Sequence, residues 1–218
     1  MDSAFRDVQK HFRAGDKIDN DAPDRKQLPN FIYLGQQPPE LKEEVMKLVT
    51  ELGTGFNDIN QSTYTASQKF SSILKSFPED YIQIMLQSYK NEGLVETDYC
   101  LPKHTAITDI LKRYIQDFYR ARIAVLHPGG TIDYHIDTNT NQMCRVQFPI
   151  QASQHWYIKR NSREVEEKIL KPGEIWFVNT GFAHKVVNEE GVDRITVLLG
   201  CKYEHVKKRI TELSNNKT

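Results

Sequence analysis

Two histidines and one aspartate have types and spacing that could bind a metal ion. His135 and Asp137 are separated by one residue, and His184 follows further along the chain. Residues two apart in a strand project to the same face, so the first two side chains could bind one ion together. Two histidines and one carboxylate are the ligand set of a non-heme Fe(II) facial triad, which leaves positions open for a co-substrate and O2. The sequence therefore predicts a catalytic metal held by His135, Asp137 and His184.

An arginine within an apolar run is the second feature with a chemical meaning. Arg194 begins the sequence Arg-Ile-Thr-Val-Leu-Leu, which is typical of a buried strand. A buried guanidinium is costly without an anionic partner. We therefore expect a carboxylate to bind at Arg194, with a purely structural ion pair as the alternative. Metal binding has structural alternatives too. His135 and Asp137 could form a hydrogen-bonded pair at the surface, and His184 could be a core histidine whose hydrogen bonds are satisfied.

Short β-like segments in the second half of the chain must position these residues. Turn residues such as Pro128-Gly129-Gly130 and Pro172-Gly173 separate them. The predicted strands are residues 120–127, 131–137, 143–151, 154–160, 163–170, 174–178, 184–188 and 193–201. Eight strands at this spacing after a helical first half predict an α+β protein. Its core would be a double-stranded β-helix, the jelly-roll or cupin-like architecture.

Helical periodicity dominates the first half of the chain. The predicted helices are residues 5–12, 40–49, 66–75, 79–90 and 105–118, and residues 31–34 could add an edge strand. We expect one compact domain with three regions. These are a mainly helical support region at residues 1–118, the catalytic core at 119–201, and a C-terminal helix or tail at 202–218.

Composition argues against several kinds of partner and location. The 218 residues include 29 basic and 29 acidic side chains, giving a formal net charge of zero. Binding to nucleic acid, which depends on phosphate contacts, is therefore not expected. No apolar stretch approaches the ~20 residues that a membrane span needs, and the charged N-terminus lacks a signal core. The three scattered cysteines fit free thiols in a reducing compartment, so we expect a soluble cytoplasmic protein.

Four stretches of the second half resemble a known family. They are residues 123–130, 144–150, 172–177 and 182–184. These stretches are similar to the aspartyl/asparaginyl β-hydroxylase-like branch of the Fe(II)/2-oxoglutarate-dependent oxygenases, over about residues 120–201. The resemblance implies that the three metal ligands bind Fe(II). It also implies that Arg194 forms a salt bridge with the far carboxylate of 2-oxoglutarate, supported by Thr196.

The chain departs from the family pattern at the carboxylate ligand. The animal peptidyl Asp/Asn hydroxylases of this branch have glycine where this chain has Asp137. The carboxylate makes the chain resemble instead the branch members that hydroxylate free amino acids such as proline. The animal enzymes also have a basic residue where this chain has Gln147, so their substrate contacts do not carry over. The candidate substrate residues are Arg145, which has a basic counterpart, Arg122 and Gln147; structural ion pairs remain alternatives for both arginines.

Together, the residues and the resemblance predict an Fe(II)/2-oxoglutarate-dependent dioxygenase. Such an enzyme couples oxidative decarboxylation of 2-oxoglutarate, with O2 as the oxidant, to hydroxylation of an unactivated C–H bond. The expected substrate is an amino-acid-like molecule or a small carboxylic acid. A protein or peptidyl Asp/Asn-type side chain is the alternative substrate. A non-catalytic cupin-like module that binds a metal or ligand is the alternative from another functional class.

Overall fold

Two antiparallel β-sheets form the core of the computed structural model, which describes residues 21–52, 81–88, 101–102, 104–137 and 139–215. The larger sheet has the spatial order β1 (Phe31–Gln36), β10 (Glu174–Val178), β7 (Cys144–Gln151), β12 (Arg194–Cys201), β5 (Tyr119–Leu126) and β2 (Tyr81–Met85). The smaller sheet has the order β6 (Thr131–His135), β11 (Ala183–Val187), β8 (Gln154–Lys159) and β9 (Val165–Leu170). A short separate ladder joins β3 (Gln87–Ser88) to β4 (Leu101–Pro102).

From β5 onwards the chain passes repeatedly between the two sheets. Strands β5, β7, β10 and β12 lie in the larger sheet, and β6, β8, β9 and β11 lie in the smaller one. This arrangement of eight strands is a double-stranded β-helix, so the predicted fold class is confirmed. Each of the eight strands begins and ends within two residues of its predicted position.

Three α-helices accompany the sheets in the described part of the chain. They are α1 (Pro39–Leu52), α2 (Thr105–Lys112) and α3 (Tyr203–Asn215). Leu41 of α1 and Leu111 of α2 belong to the same buried cluster as Phe148 and Val197 of the larger sheet. The helices predicted at residues 40–49 and 105–118 are therefore present, although α2 ends six residues early. No helix in the described residues is long and apolar enough to cross a bilayer.

The alternation of side chains along β12 separates the apolar core from a cleft between the sheets. Ile195 and Val197 belong to the apolar cluster shared with the helices. Arg194 and Leu198, which point the opposite way, line the cleft. All residues of β12 are buried, as expected for a central strand that is covered on both faces.

The predicted helix at residues 79–90 is wrong, because residues 81–85 form strand β2. This strand pairs antiparallel with β5 at one edge of the larger sheet. The sequence Tyr-Ile-Gln-Ile-Met-Leu-Gln places an apolar side chain at every second position, and Ile84 and Leu86 are buried. That period fits a strand better than a helix. Two further predicted helices, at residues 5–12 and 66–75, lie outside the described residues.

A glycine turn directs the chain from β5 into β6, the strand that carries His135. Gly129 has a φ of +76°, in the left-handed region that favours glycine. Its amide donates a 3.0 Å hydrogen bond to the carbonyl of Asn188, just beyond β11. The turn therefore begins β6 next to its pairing partner, β11.

Candidate metal centre

The pairing of β6 with β11 brings the two candidate histidine ligands together. His135 and His184 are direct cross-strand partners, and their ring centroids are 4.2 Å apart. Asp137 is close to both, and one ligand atom from each of the three residues lies within 4.8 Å of the others. Within the described residues, these three side chains form the group that could hold a metal ion.

Asp137 is not part of the strand that was expected to carry it. Strand β6 ends at His135, so the predicted strand at residues 131–137 is two residues too long. The main-chain N–H of Asp137 instead donates a 3.0 Å hydrogen bond to the carbonyl of Thr180. This contact ties Asp137, in the loop that follows β6, to the loop that precedes β11. The carboxylate is therefore positioned by these two loops and not by strand pleating alone.

Both histidines present the same ring nitrogen towards the centre of the cluster. The Nδ1 atom of His135 lies 2.7 Å from the carbonyl of Asp133, and that of His184 lies 3.0 Å from the carbonyl of Phe182. A carbonyl can only accept, so each Nδ1 carries a proton, and in the neutral ring Nε2 is then the nitrogen with a lone pair for a metal. Burial, reinforced by the nearby His135, lowers the pKa of His184 to about 3, which keeps this ring neutral.

The carboxylate of Asp137 is held by an arginine. The Nε atom of Arg145 donates to Oδ2 of Asp137 at 3.1 Å, while Oδ1 lies 3.8 Å from Nε2 of His135. Burial acts to raise the pKa of Asp137, but the positive charges of its surroundings, that of Arg145 first and that of Arg122 as well, outweigh it. The pKa of this carboxyl is consequently held well below its usual range. Two neutral imidazoles and one ionised carboxylate fit a divalent metal such as Fe(II).

This contact changes the interpretation of Arg145 as a candidate substrate residue. Its side chain is 3% exposed and lies against a candidate metal ligand, which corresponds to the structural ion pair left open by the sequence. Because one carboxylate oxygen of Asp137 bonds to the guanidinium, the other oxygen is directed towards the histidines. Arg145 is thus placed to orient a ligand.

Arg145→Gln should weaken metal binding, because Asp137 loses the partner that fixes its orientation. Changes to residues that orient a metal ligand commonly cost ~10–100-fold in affinity. Titration of the metal-free protein with Co(II), followed by visible absorption, measures the effect. Arg113→Gln, at an exposed arginine that pairs with Glu40, is the matched control. Equal Co(II) affinities for the two variants would contradict this role.

A cleft opens between the two sheets beside the three candidate ligands. Its lining comes from both sheets and from the loop before β11: Arg122, Ile132, His135, Asp137, Arg145, Gln147, Trp156, Thr180, His184, Val186, Arg194 and Leu198. All three candidate substrate residues therefore lie in the wall of the same cleft as the triad.

Arg194 lies at the wall of this cleft and is 1% exposed. Its Nη2 atom donates a 2.8 Å hydrogen bond to Oε1 of Gln154, and its Cζ atom lies 5.8 Å from the ring centroid of Trp156. Thr196, two residues along β12, is fully buried, and its hydroxyl lies 3.2 Å from the carbonyl of Phe148. Arg194 therefore lines the cleft, and Thr196 lies behind that lining.

Two residues of the site, Trp156 and Gln154, were not identified as site residues from the sequence. Trp156 lies with its ring 5.7 Å from that of His184 and inclined by 28°. Gln154 is completely buried and orients Arg194. Both belong to β8, where alternate residues face the cleft side. Their even spacing is visible in the sequence, but it does not distinguish a cleft from a core.

The fold and the cluster together define a cupin-like protein with a candidate mononuclear metal centre. The sequence profile of the aspartyl/asparaginyl beta-hydroxylase family matches residues 36–204, well over half of the chain. The chain belongs to this family, as the resemblance predicted. No curated protein sequence matches the chain significantly.

Solved structures with a partly similar chain path share little sequence with this chain. An oxalate oxidase in complex with the substrate analogue glycolate has a TM-score of 0.38 and 14% identity, covering 57% of this chain and 52% of its own. The oxalate decarboxylase of Lactobacillus farciminis, as a formate complex, has a TM-score of 0.39 and 10% identity, covering 57% and 30%. The match thus spans about half of the oxalate oxidase chain and less than a third of the decarboxylase chain. Neither likeness bears on activity.

Proposed function

We propose that this chain is an Fe(II)- and 2-oxoglutarate-dependent dioxygenase that hydroxylates an unactivated C–H bond of an amino-acid-like molecule or small carboxylic acid. The observation that carries the proposal is the position of Arg194. This buried guanidinium lines the same cleft as the candidate metal ligands. A simple metal-binding module has no use for a buried carboxylate anchor beside its metal, which disfavours the non-catalytic alternative.

The residues divide into metal ligands and a co-substrate anchor. His135, Asp137 and His184 would hold Fe(II), which when bound supplies the activation of O2 and the oxidation of the C–H bond. Arg194 would bind the far carboxylate of 2-oxoglutarate, because a guanidinium pairs with a carboxylate through two parallel hydrogen bonds. Thr196 is a secondary candidate for supporting it.

Gln154 strengthens the case for an anion at this position. Its Oε1 atom accepts from Arg194 and so fixes the plane of the guanidinium. Its Nε2 atom is buried and has no hydrogen-bond partner among the described residues. A buried donor without a partner is costly, and an oxygen atom of a bound ligand would satisfy it. The ring of Trp156 lies 5.8 Å from Cζ of Arg194 and 5.7 Å from the ring of His184, so it would shield the co-substrate from water at this position.

The charge of the cleft supports a second anionic group. Its lining contains the guanidinium groups of Arg122, Arg145 and Arg194 and a single carboxylate, that of Asp137. Arg145 is engaged with Asp137, and Arg194 is assigned to 2-oxoglutarate. Arg122, which lies in this lining, is our candidate for a substrate carboxylate, with Gln147 as a neutral contact on the opposite side of Leu198 in the same wall. A free amino acid carries a carboxylate and therefore fits these positive groups better than a neutral peptide segment does.

An anaerobic experiment tests the co-substrate. Adding 2-oxoglutarate to the Fe(II)-loaded protein should produce the weak visible charge-transfer band of the chelate. Oxygen should then yield succinate. Protein that binds Fe(II) but gives neither the band nor succinate would overturn the 2-oxoglutarate assignment, while the metal site itself would stand.

Free L-amino acids should stimulate succinate formation above the uncoupled background, and the product should be heavier by one oxygen atom. Short peptides containing Asp or Asn should be poorer substrates, because the charge of the cleft is matched to a free carboxylate. A screen of both sets, with mass spectrometry of the products, compares them directly. Coupled turnover on peptides alone would reverse this ranking and favour a peptidyl Asp/Asn-type hydroxylase.

A further inference from the structure

A short N-terminal segment outside the family match contacts two loops at the candidate metal centre, one that carries Asp137 and one that leads into the strand of His184. We define residues 23–30 as the strap; the family match begins only at residue 36. The Asp137 loop is residues 136–143, between β6 and β7, of which 138 lies outside the description. The His184 loop is residues 179–182, between β10 and β11. Neither loop is held by strand pairing, so its position depends on such contacts.

The strap binds the Asp137 loop through Asn139. The side-chain amide of Asn139 donates to Oδ2 of Asp24 at 2.6 Å, and its oxygen accepts from the main-chain N–H of Arg25 at 3.0 Å. The hydroxyl of Thr140 also donates to the carbonyl of Pro23 at 2.8 Å. These hydrogen bonds begin two residues after the candidate carboxylate ligand.

Arg25 binds the His184 loop at the same place. Its guanidinium donates to the carbonyl of Gly181 and lies 5.3 Å from the ring centroid of Phe182. The carbonyl of Arg25 accepts from the side chain of Asn179 at 2.9 Å. The opposing guanidinium of Arg160 lies 5.2 Å from the ring centroid of Phe182. The loop is therefore fixed at both ends.

The His184 loop is hydrogen-bonded directly to two of the candidate ligands. The carbonyl of Phe182 accepts from His184, and the carbonyl of Thr180 accepts from the main-chain N–H of Asp137. The strap itself is anchored to the smaller sheet, where Arg160 at the end of β8 donates to the carbonyl of Leu28 at 2.6 Å. A continuous set of hydrogen bonds thus joins the strap to two candidate ligands.

We propose that Arg25 and Asn139 are positioning residues of the metal centre, and that the strap completes a ligand geometry which the family-matched core alone leaves loose. The inference rests on the proposed metal site. Ligands that are held in place before the metal arrives avoid the entropic cost of ordering two loops on binding. The strap should therefore increase metal affinity without contacting the metal.

An exchange of the two partners tests this directly. Asn139→Asp alone places a carboxylate against Asp24, and like charges at this distance repel. In the double variant Asp24→Asn/Asn139→Asp, the donor and acceptor simply change sides, and Arg25 can still donate to residue 139. Asn161→Asp is the matched control, because it creates the same clash with Glu164 in an exposed turn between β8 and β9.

Two measurements are made on each variant: amide hydrogen exchange of the two loops in the metal-free protein, and Co(II) affinity. We expect Asn139→Asp to increase loop exchange and to weaken Co(II) binding about tenfold, the scale of changes next to metal ligands. The double variant should restore both, and Asn161→Asp should change neither. If Asn139→Asp does not fold, Thr140→Val, which removes one strap contact, must show the same two changes.

Unchanged exchange or unchanged Co(II) affinity in Asn139→Asp would overturn the proposal. A loss that the double variant does not restore would also overturn it. Wild-type protein that binds no Co(II) would refute the proposed function instead, and loop exchange alone would then decide whether the strap positions these loops.

Discussion

His184→Ala is expected to abolish both Fe(II) binding and turnover while leaving the two sheets folded. The variant loses one of three protein ligands, and the remaining pair cannot hold a metal facially. Loss of a ligand should exceed the ~10–100-fold loss of affinity that is typical for its supporting residues. His135→Ala should behave in the same way, since the two rings face each other across β6 and β11. Co(II) titration and succinate formation measure the two effects.

His205→Ala is the matched control for this change, because His205 lies on α3 and contacts Asp117 and Glu204 instead of the cleft. Circular dichroism and thermal unfolding establish that each variant is folded. Asp137→Gly should give a milder result, impaired hydroxylation with weak metal binding, because the histidine pair remains. Turnover of 2-oxoglutarate by folded His184→Ala protein would refute the metal assignment.

The sequence predicts the eight core strands well for a physical reason. Strands buried between two layers require alternating or continuous apolar runs, and the sharp turns between them require glycine, proline or asparagine. Both signals are local. Locality also explains why His135 and His184 can each be placed at a strand boundary, whereas their pairing across β6 and β11 is not a local property. The family motif then supplies what spacing alone cannot, the assignment of the metal.

Features that depend on distant pairing are not readable in the same way. Strand β2 follows Pro78 and precedes Gly93, boundaries that also suit a helix, and its partner β5 lies far along the chain. The ion pair between Arg145 and Asp137 spans a loop whose path no local pattern specifies. A sequence therefore suggests that Arg145 needs an anion without saying that the anion is a metal ligand.

The strap is the clearest case of a feature that the sequence conceals. Residues 23–30 contain charged and polar side chains with no period, which is typical of a surface loop. Their partners Asn139 and Gly181 lie more than a hundred residues away. Nothing in the composition distinguishes a loop that merely connects from one that holds two others.

Arg194→Ala should raise the KM for 2-oxoglutarate at least tenfold with metal affinity nearly unchanged. Truncating one partner of a desolvated charge pair costs roughly 2–5 kcal/mol, and about 1.4 kcal/mol corresponds to tenfold. Arg194 is buried and oriented by Gln154, and the variant loses this donor group altogether. Arg194 is not one of the three candidate ligands, so its truncation removes no ligand atom.

Two comparisons make this result specific to a carboxylate anchor. Arg194→Lys keeps the charge but loses the planar pair of donors, so its KM should lie between those of the wild type and Arg194→Ala. Arg113→Ala removes a surface arginine whose ion pair with Glu40 is exposed, and such pairs contribute only ~0–1 kcal/mol. Steady-state KM for 2-oxoglutarate, with Co(II) affinity measured in parallel, separates loss of the anchor from loss of the metal. A KM that stays at the wild-type value in Arg194→Ala would mean that the co-substrate carboxylate binds elsewhere in the cleft, with Arg122 the next residue to replace because it lines the same wall.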